Sequence, residues 1–245
     1  RKAYAAGVGA MAHPPVPLPR VEPFTIPGPA GDIPARLWAS THDKDLPVFL
    51  YLHGGGFVVG GIDTCEAMCS QVAHQSGAAV VAIDYRLAPE HKYPAGLEDC
   101  MAALRWLVEH GHTQHLDASR MAVGGDSAGG TLAAILAVVA RDADIPLKLQ
   151  ALFYPSVQVG VRTESFMTYG RATFLNAELM KWFENHAQGG HLSERWHREP
   201  LHAPDHRGVA PAWIGLAQCD PLTDDGYLYA DKLRHAGVAV DLEIY

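Results

Sequence analysis

Gly125-Asp126-Ser127-Ala128-Gly129 follows the apolar run Met121-Ala122-Val123 and precedes the helix-like run Thr131 to Ala140. A Gly-x-Ser-x-Gly between a strand and a helix leaves a chain few folds to adopt. The serine of so tight a turn is held at strained backbone angles. The glycines two places to either side are needed because a Cβ there would strike the neighbouring strand and helix. The turn lifts the hydroxyl out of the sheet, and the following helix points its first N–H groups at any negative charge that develops beside it. Ser127 is therefore the candidate nucleophile. Gly, Ser and Ala are common enough for a flexible loop to match five residues by chance, so the surroundings must decide.

Upstream, Val48-Phe49-Leu50-Tyr51-Leu52 reads as a buried strand running into His53-Gly54-Gly55-Gly56-Phe57. Three glycines let the backbone turn sharply and leave bare N–H groups facing a ligand, which is what an oxyanion requires. Around these two motifs the chain alternates strand and helix. Val21 to Pro27 and Ile33 to Ala39 form an opening hairpin about Gly28-Pro29-Ala30-Gly31. Ala78 to Asp84, Met121 to Gly125, Leu147 to Tyr154, Trp213 to Cys219 and Val240 to Tyr245 follow as strands, and Leu97, Met101, Leu104 and Val108 make an apolar stripe at helical spacing. Unbroken apolar strands separated by helices predict an α/β fold with a mostly parallel, doubly wound sheet, whose ligands bind at the carboxyl ends of the strands.

Four stretches together resemble the hormone-sensitive-lipase-like family of α/β-hydrolases, the bacterial carboxylesterases with an HGGG oxyanion loop. They are His53-Gly54-Gly55-Gly56-Phe57, Asp84-Tyr85-Arg86-Leu87-Ala88-Pro89-Glu90, Gly125-Asp126-Ser127-Ala128-Gly129-Gly130 and Asp220-Pro221-Leu222-Thr223-Asp224-Asp225-Gly226. The last departs from the family pattern, which carries Arg at the place of Thr223 and Glu at that of Asp225. The resemblance implies an α/β-hydrolase core over 21–155 and 206–245, with 1–20 and 156–205 folding together as a helical cap. The second of these holds one amphipathic stretch, Leu175 to Phe183.

Acyl transfer through serine needs a base to take the hydroxyl proton, an acid to orient that base, and donors for the tetrahedral oxyanion. In this fold the order along the chain is Ser, Asp, His. Asp220 follows the strand Trp213 to Cys219 at its carboxyl end, where the acid belongs. Asp224 and Asp225 compete with it, but lie where the next helix begins and are expected to cap it. The resemblance makes the backbone N–H groups of Gly55, Gly56 and Ala128 the oxyanion donors. His53 precedes the nucleophile and is expected to hold the glycine loop in shape. Asp126, Tyr85, Arg86 and Glu90 are expected to position loops, while Phe57 and Val58 line an acyl pocket or belong to the core. The family's base lies on the loop after the strand that ends here at Tyr245. His235 sits on the preceding helix, and His202 and His206 come before Asp220. The sequence thus reads as most of an esterase without its catalytic histidine, cut at both ends, with a His expected shortly after Tyr245.

Composition narrows the remaining classes. With 245 residues, 48% of them hydrophobic, the chain can bury one large core. Acidic residues outnumber Lys and Arg by 27 to 19 with no basic cluster, so nucleic acid is not an expected partner. The longest uncharged apolar stretch, Ala128 to Ala140, is short of the ~20 residues that span a bilayer and reads as a buried helix. Cys65, Cys69, Cys100 and Cys219 are too sparse for a disulfide scaffold, so a cytoplasmic location is the default. No further ligands stand at metal-binding spacing, and neither metal nor cofactor is expected. Scattered histidines such as His74 and His110 read as surface or capping residues. The expected partner is a small-molecule ester with a short or medium acyl chain, and a homodimer is compatible with the sequence. The competing reading is a non-catalytic small-ligand receptor on the same fold, in which the serine stays and the histidine is replaced.

Overall fold

The computed structural model describes residues 1–11, 13–171, 174–189 and 194–245. Its centre is an eight-stranded sheet in the spatial order β1-β2-β4-β3-β5-β6-β7-β8. β1 (Arg20–Gly28) and β2 (Gly31–Ala39) form the expected hairpin, paired from Arg20 opposite Ala39 to Gly28 opposite Gly31. β2 joins β4 (Ala79–Ile83) antiparallel, and every later pairing is parallel. These later strands are β3 (Leu46–Leu52), β5 (Leu116–Asp126), β6 (Leu147–Phe153), β7 (Ala212–Leu216) and β8 (Val240–Ile244). β4 is buried at all five positions, which is why its sequence reads as an unbroken apolar run rather than an alternating one.

β5 begins five residues before the expected Met121. Leu116 and Asp117 pair with Leu46 and Pro47, and the register then jumps to Met121 opposite Val48. The intervening Ala118-Ser119-Arg120 conceals this first section from a hydropathy reading. Helices α2 (Ile62–Ser76), α3 (Ala95–His110), α4 (Ala128–Asp142) and α7 (Thr223–His235) connect the strands. α4 is buried continuously from Ala128 to Val138, as a helix apolar on all sides must be. In α3 the buried face is Leu97, Cys100, Ala103, Leu104 and Leu107. Val108, placed on the expected stripe, is 40% exposed instead. The face is rotated by one residue because Cys100, Ala103 and Leu107 fill the sheet-facing positions.

α1 (Lys2–Met11) precedes the sheet, and α5 (Glu164–Tyr169) and α6 (Ala177–Ala187) lie between β6 and β7. All four cysteines are free thiols, three buried and Cys219 exposed. Cys65 and Cys69 do share the buried face of α2. Among the described residues, no helix is long and apolar enough to cross a membrane, and no group of three or more His, Cys, Asp and Glu could hold a metal ion.

Candidate active site

Ser127 stands between the last residue of β5 and the first of α4, with φ 52° and ψ −118°. A non-glycine residue at positive φ is a strained conformation that the surroundings must enforce. They do so through backbone on both sides. The Ser127 N–H donates to the Phe153 carbonyl at 2.9 Å and its carbonyl accepts from Thr131 N–H at 3.0 Å. A Cβ on Gly129 would fall 1.9 Å from the Leu52 carbonyl oxygen, and one on Gly125 2.2 Å from the same atom. The two glycines are thus the sites where β3 and the elbow touch, as the motif's spacing requires.

The glycine loop follows β3 directly. Gly55 and Gly56 adopt φ 117° and 59°, and the Gly55 carbonyl turns back to accept from the N–H groups of both Val58 and Val59. That turn leaves the Gly55 and Gly56 N–H groups without an acceptor among the described residues. So is the N–H of Ala128, the first residue of α4. The preceding Gly54 N–H is already engaged by the Asp126 carboxylate at 2.8 Å, and Tyr51 Oη donates to the same oxygen at 2.8 Å. Asp126 therefore joins the elbow to the loop. Its carboxyl is shifted upward by burial, with the bonds from Tyr51 and Gly54 working against the shift.

His53 is 1% exposed. Its Nδ1–H donates to the Gly54 carbonyl at 2.7 Å, and its ring stacks on Tyr85 with centroids 4.3 Å apart. Burial holds the ring's pKa below its ordinary value, against the Gly54 bond and the nearby Asp126 and Asp84. Tyr85 Oη closes the arrangement by donating to the His53 carbonyl at 2.6 Å. Arg86 Nε sits 2.9 Å from Asp99 Oδ2, and Glu90 pairs with Arg1, whose guanidinium also donates to the Val58 and Ala88 carbonyls. These contacts tie the segments after β3 and β4 to one another, to Arg1 just before α1, and to α3. Val58 is buried with Val59, Ala88 and Ala187, while Phe57 packs edge-on against Tyr93.

Asp220 lies past the carboxyl end of β7, half-buried, and its Oδ1 accepts the Leu222 N–H at 2.8 Å. Burial raises its carboxyl pKa and the Leu222 bond opposes the rise. Asp224 and Asp225 do not cap α7, contrary to expectation. Asp225 accepts Val157 N–H and Gln158 Nε2, both at 3.0 Å, and Asp224 accepts Ser165 N–H at 2.8 Å. Their partners lie on the segment after β6, invisible from spacing along α7. Among the described residues no histidine ring hydrogen-bonds Ser127 or Asp220. His235 bonds the Asp231 carbonyl of its own helix, His206 is buried with Nε2 on the Pro200 carbonyl, and His202 lies 3.6 Å from Glu199.

The family described as alpha/beta hydrolase fold matches residues 49–245. The chain belongs to that family, in its hormone-sensitive-lipase-like branch. The hydrolase is 42% identical to Esterase LipI of Mycobacterium tuberculosis over 91% of its own length and 72% of that protein's. It is likewise 42% identical to Carboxylesterase NlhH of the same organism, over 95% and 76%. Among solved structures, an ester-hydrolase from the metagenome of Lake Arreo superposes with a TM-score of 0.95 at 35% identity, covering 100% of this chain and 79% of that one. An esterase of Pyrobaculum calidifontis gives 0.90 at 39%, covering 100% and 81%.

Three features of the hydrolase's site escaped the sequence. Phe183 of α6 reaches over the glycine loop, where a Cβ on Gly56 would fall 2.3 Å from its ring. Tyr154, just past β6, takes φ 35°. Its phenol is shifted upward by burial first, then by the nearby Asp126, Tyr4 and Asp220. Thr131, buried in the first turn of α4, spans from the elbow to the Ser156 carbonyl. Only the amphipathic run Leu175 to Phe183 carried a signal for the first of them.

Proposed function

We propose that the protein is a carboxylic-ester hydrolase working through an acyl-enzyme on Ser127. The observation that carries this reading is the strained Ser127 beside three N–H groups, of Gly55, Gly56 and Ala128, that have no acceptor among the described residues. Donors that await a ligand next to a raised hydroxyl suit an oxyanion better than any neutral group. In this reading the base takes the Ser127 proton as Oγ bonds to the ester carbonyl carbon. The negative oxygen that forms is held by the three N–H groups. The base then hands its proton to the departing alkoxide, and water repeats the sequence to free the acid. Asp220 orients the base, which the family resemblance puts on the loop following β8. His53 and Asp126 keep the donor loop and the elbow in register.

The segment 156–205, with 1–20, is read as a cap that closes one side of the site. Phe183 over Gly56 narrows the space beside the oxyanion, which favours short or medium acyl groups. The relatives' printed names agree in class: esterase, carboxylesterase and, in Pseudomonas putida, ethyl acetate hydrolase at 38% identity. The test is a p-nitrophenyl ester series on the full-length protein, with mass-spectrometric mapping of a phosphonate adduct. Turnover peaking at short to medium chains with the adduct on Ser127 is expected. Labelling of another serine, or a maximum on emulsified long-chain triglyceride, would overturn the reading.

A further inference from the structure

The loop carrying Asp220 is fastened at both ends, and the second fastening leads back to Ser127. Near its start, Thr223 Oγ1 donates to the Ala217 and Asp220 carbonyls at 2.8 and 2.7 Å, so the turn is closed on itself. Among the described residues, Asp220 has only the Leu222 N–H as a bond to its own carboxylate, so its place depends on how the loop is held. At the far end Asp225, 5% exposed, accepts Val157 N–H and Gln158 Nε2. Ser165 adds a second link, donating from Oγ to the Pro221 carbonyl and accepting the Asp224 N–H at 3.1 Å. The residue before Val157 is Ser156, whose carbonyl accepts Thr131 Oγ1, and Thr131 is 1% exposed and bonded to the Ser127 carbonyl.

We propose that Asp225 and Thr131 are positioning residues that set the spacing between Ser127 and Asp220, through the single backbone stretch Ser156-Val157 that both hold. The inference rests on the reading of Asp220 as the acid. Neither side chain touches the reacting atoms. A buried carboxylate is a costly way to satisfy two N–H groups, since burial pushes the Asp225 carboxyl up to about 6 despite both donors. Retaining it there is reasonable where geometry, more than stability, is at stake. The site is thereby braced across three strands: the elbow after β5, the segment after β6 and the acid loop after β7.

The full-length protein and its D225N, D225E, T131V and D225N/T131V variants would be compared on one p-nitrophenyl ester, reading kcat, KM and Tm. Asn keeps the shape of Asp225 but turns an N–H toward one of the two donors, and Val keeps the shape of Thr131 without its hydroxyl. Displacing Asp220 relative to Ser127 should lower kcat by about tenfold to a hundredfold in D225N, with KM little changed and Tm lowered only by the few degrees that one unsatisfied buried donor costs. D225E, retaining the charge, should recover most of that loss. Because both residues act on the same stretch, the double variant should be no slower than about the worse single one. Unchanged kcat in D225N, loss of kcat only in proportion to Tm, or simple multiplication of the two effects would overturn the proposal. Should D225N not fold, unchanged kcat in T131V would overturn it alone. A wild-type protein without ester turnover would overturn the proposed function and this inference together.

Discussion

Asp126, the last residue of β5, accepts the Gly54 amide proton at 2.8 Å, so one carboxylate fixes the candidate oxyanion loop relative to the candidate nucleophile beside it. The same oxygen accepts Tyr51 Oη, and Tyr51 is 2% exposed. Replacing Asp126 by Ala would strand two donors away from water, at about 1–3 kcal/mol each. D126A is expected to lose about 2–6 kcal/mol in urea unfolding and to lower kcat on a short-chain ester. Wild-type kcat in a folded D126A would show that the loop holds its shape unaided.

The strain at Ser127 can be read thermodynamically, apart from activity. A non-glycine residue at φ 52° and ψ −118° carries about 1–3 kcal/mol that glycine would not. Glycine gives back roughly 0.5–1 kcal/mol through the freer unfolded chain. S127A and S127G should both reduce turnover to background, with S127G the more stable of the two by about 1 kcal/mol in thermal denaturation. Equal midpoints would mean that the elbow is relaxed.

Two glycine-to-alanine changes should behave in opposite ways. At Gly129 the added methyl meets the Leu52 carbonyl at 1.9 Å, between a strand and a helix with no room to part. G129A should cost about 3 kcal/mol or fail to accumulate. Gly7, in α1, has nothing within 4 Å of its added Cβ, and G7A should leave stability unchanged or raise it by less than about 1 kcal/mol. Expression and urea midpoints of the pair decide the matter.

Acid sensitivity should trace in part to His206. Burial holds the pKa of this ring below its ordinary 6.5, with Lys232 and Arg141 adding to the effect against the Pro200 bond. Below pH 6.5 the unfolded chain takes up a proton that the folded one refuses, so this contribution to stability is present above 6.5 and is lost as pH falls towards the folded pKa. Asp225 works in the reverse sense between 3.8 and about 6, but it is common to both proteins and cancels in a comparison. The stability difference between wild type and H206Q should therefore be flat above pH 7 and shift in the variant's favour below about 6.5. A difference that is constant from pH 5 to 8 would refute the assignment.

Much of this site can be read from the order of residues, because the elbow and the glycine loop are local devices. Glycine is required where Leu52 approaches Gly125 and Gly129, and that requirement leaves its mark within five residues of sequence. β3, β4 and the Met121 to Gly125 section of β5 were likewise legible, since strands buried on both faces read as nearly unbroken apolar runs. Asp224 and Asp225 were misread for the opposite reason. Their role depends on Val157, Gln158 and Ser165, some sixty residues earlier in the chain, and carboxylates at a helix start look alike whether they face its N–H groups or another segment's. α3 shows a subtler failure. Cys100 and Ala103 are small enough to be overlooked beside Met101 and Val108, yet both are fully buried in the main core.

β5, which delivers Ser127, is paired on both sides from Met121 to Gly125, with Met121 and Val123 at 0% exposure. α6, which brings Phe183 over Gly56, has only Ala187 buried. Amide protons in such a central strand exchange with solvent only when the whole domain opens, whereas a thinly packed helix exchanges through local openings of much lower free energy. In the proposed reading, the reactive hydroxyl and the surface that selects its ligand therefore belong to different cooperative units. Warmed short of global unfolding, the molecule would keep its nucleophile in place while losing its preference among ligands, so that selectivity melts at a lower temperature than reactivity.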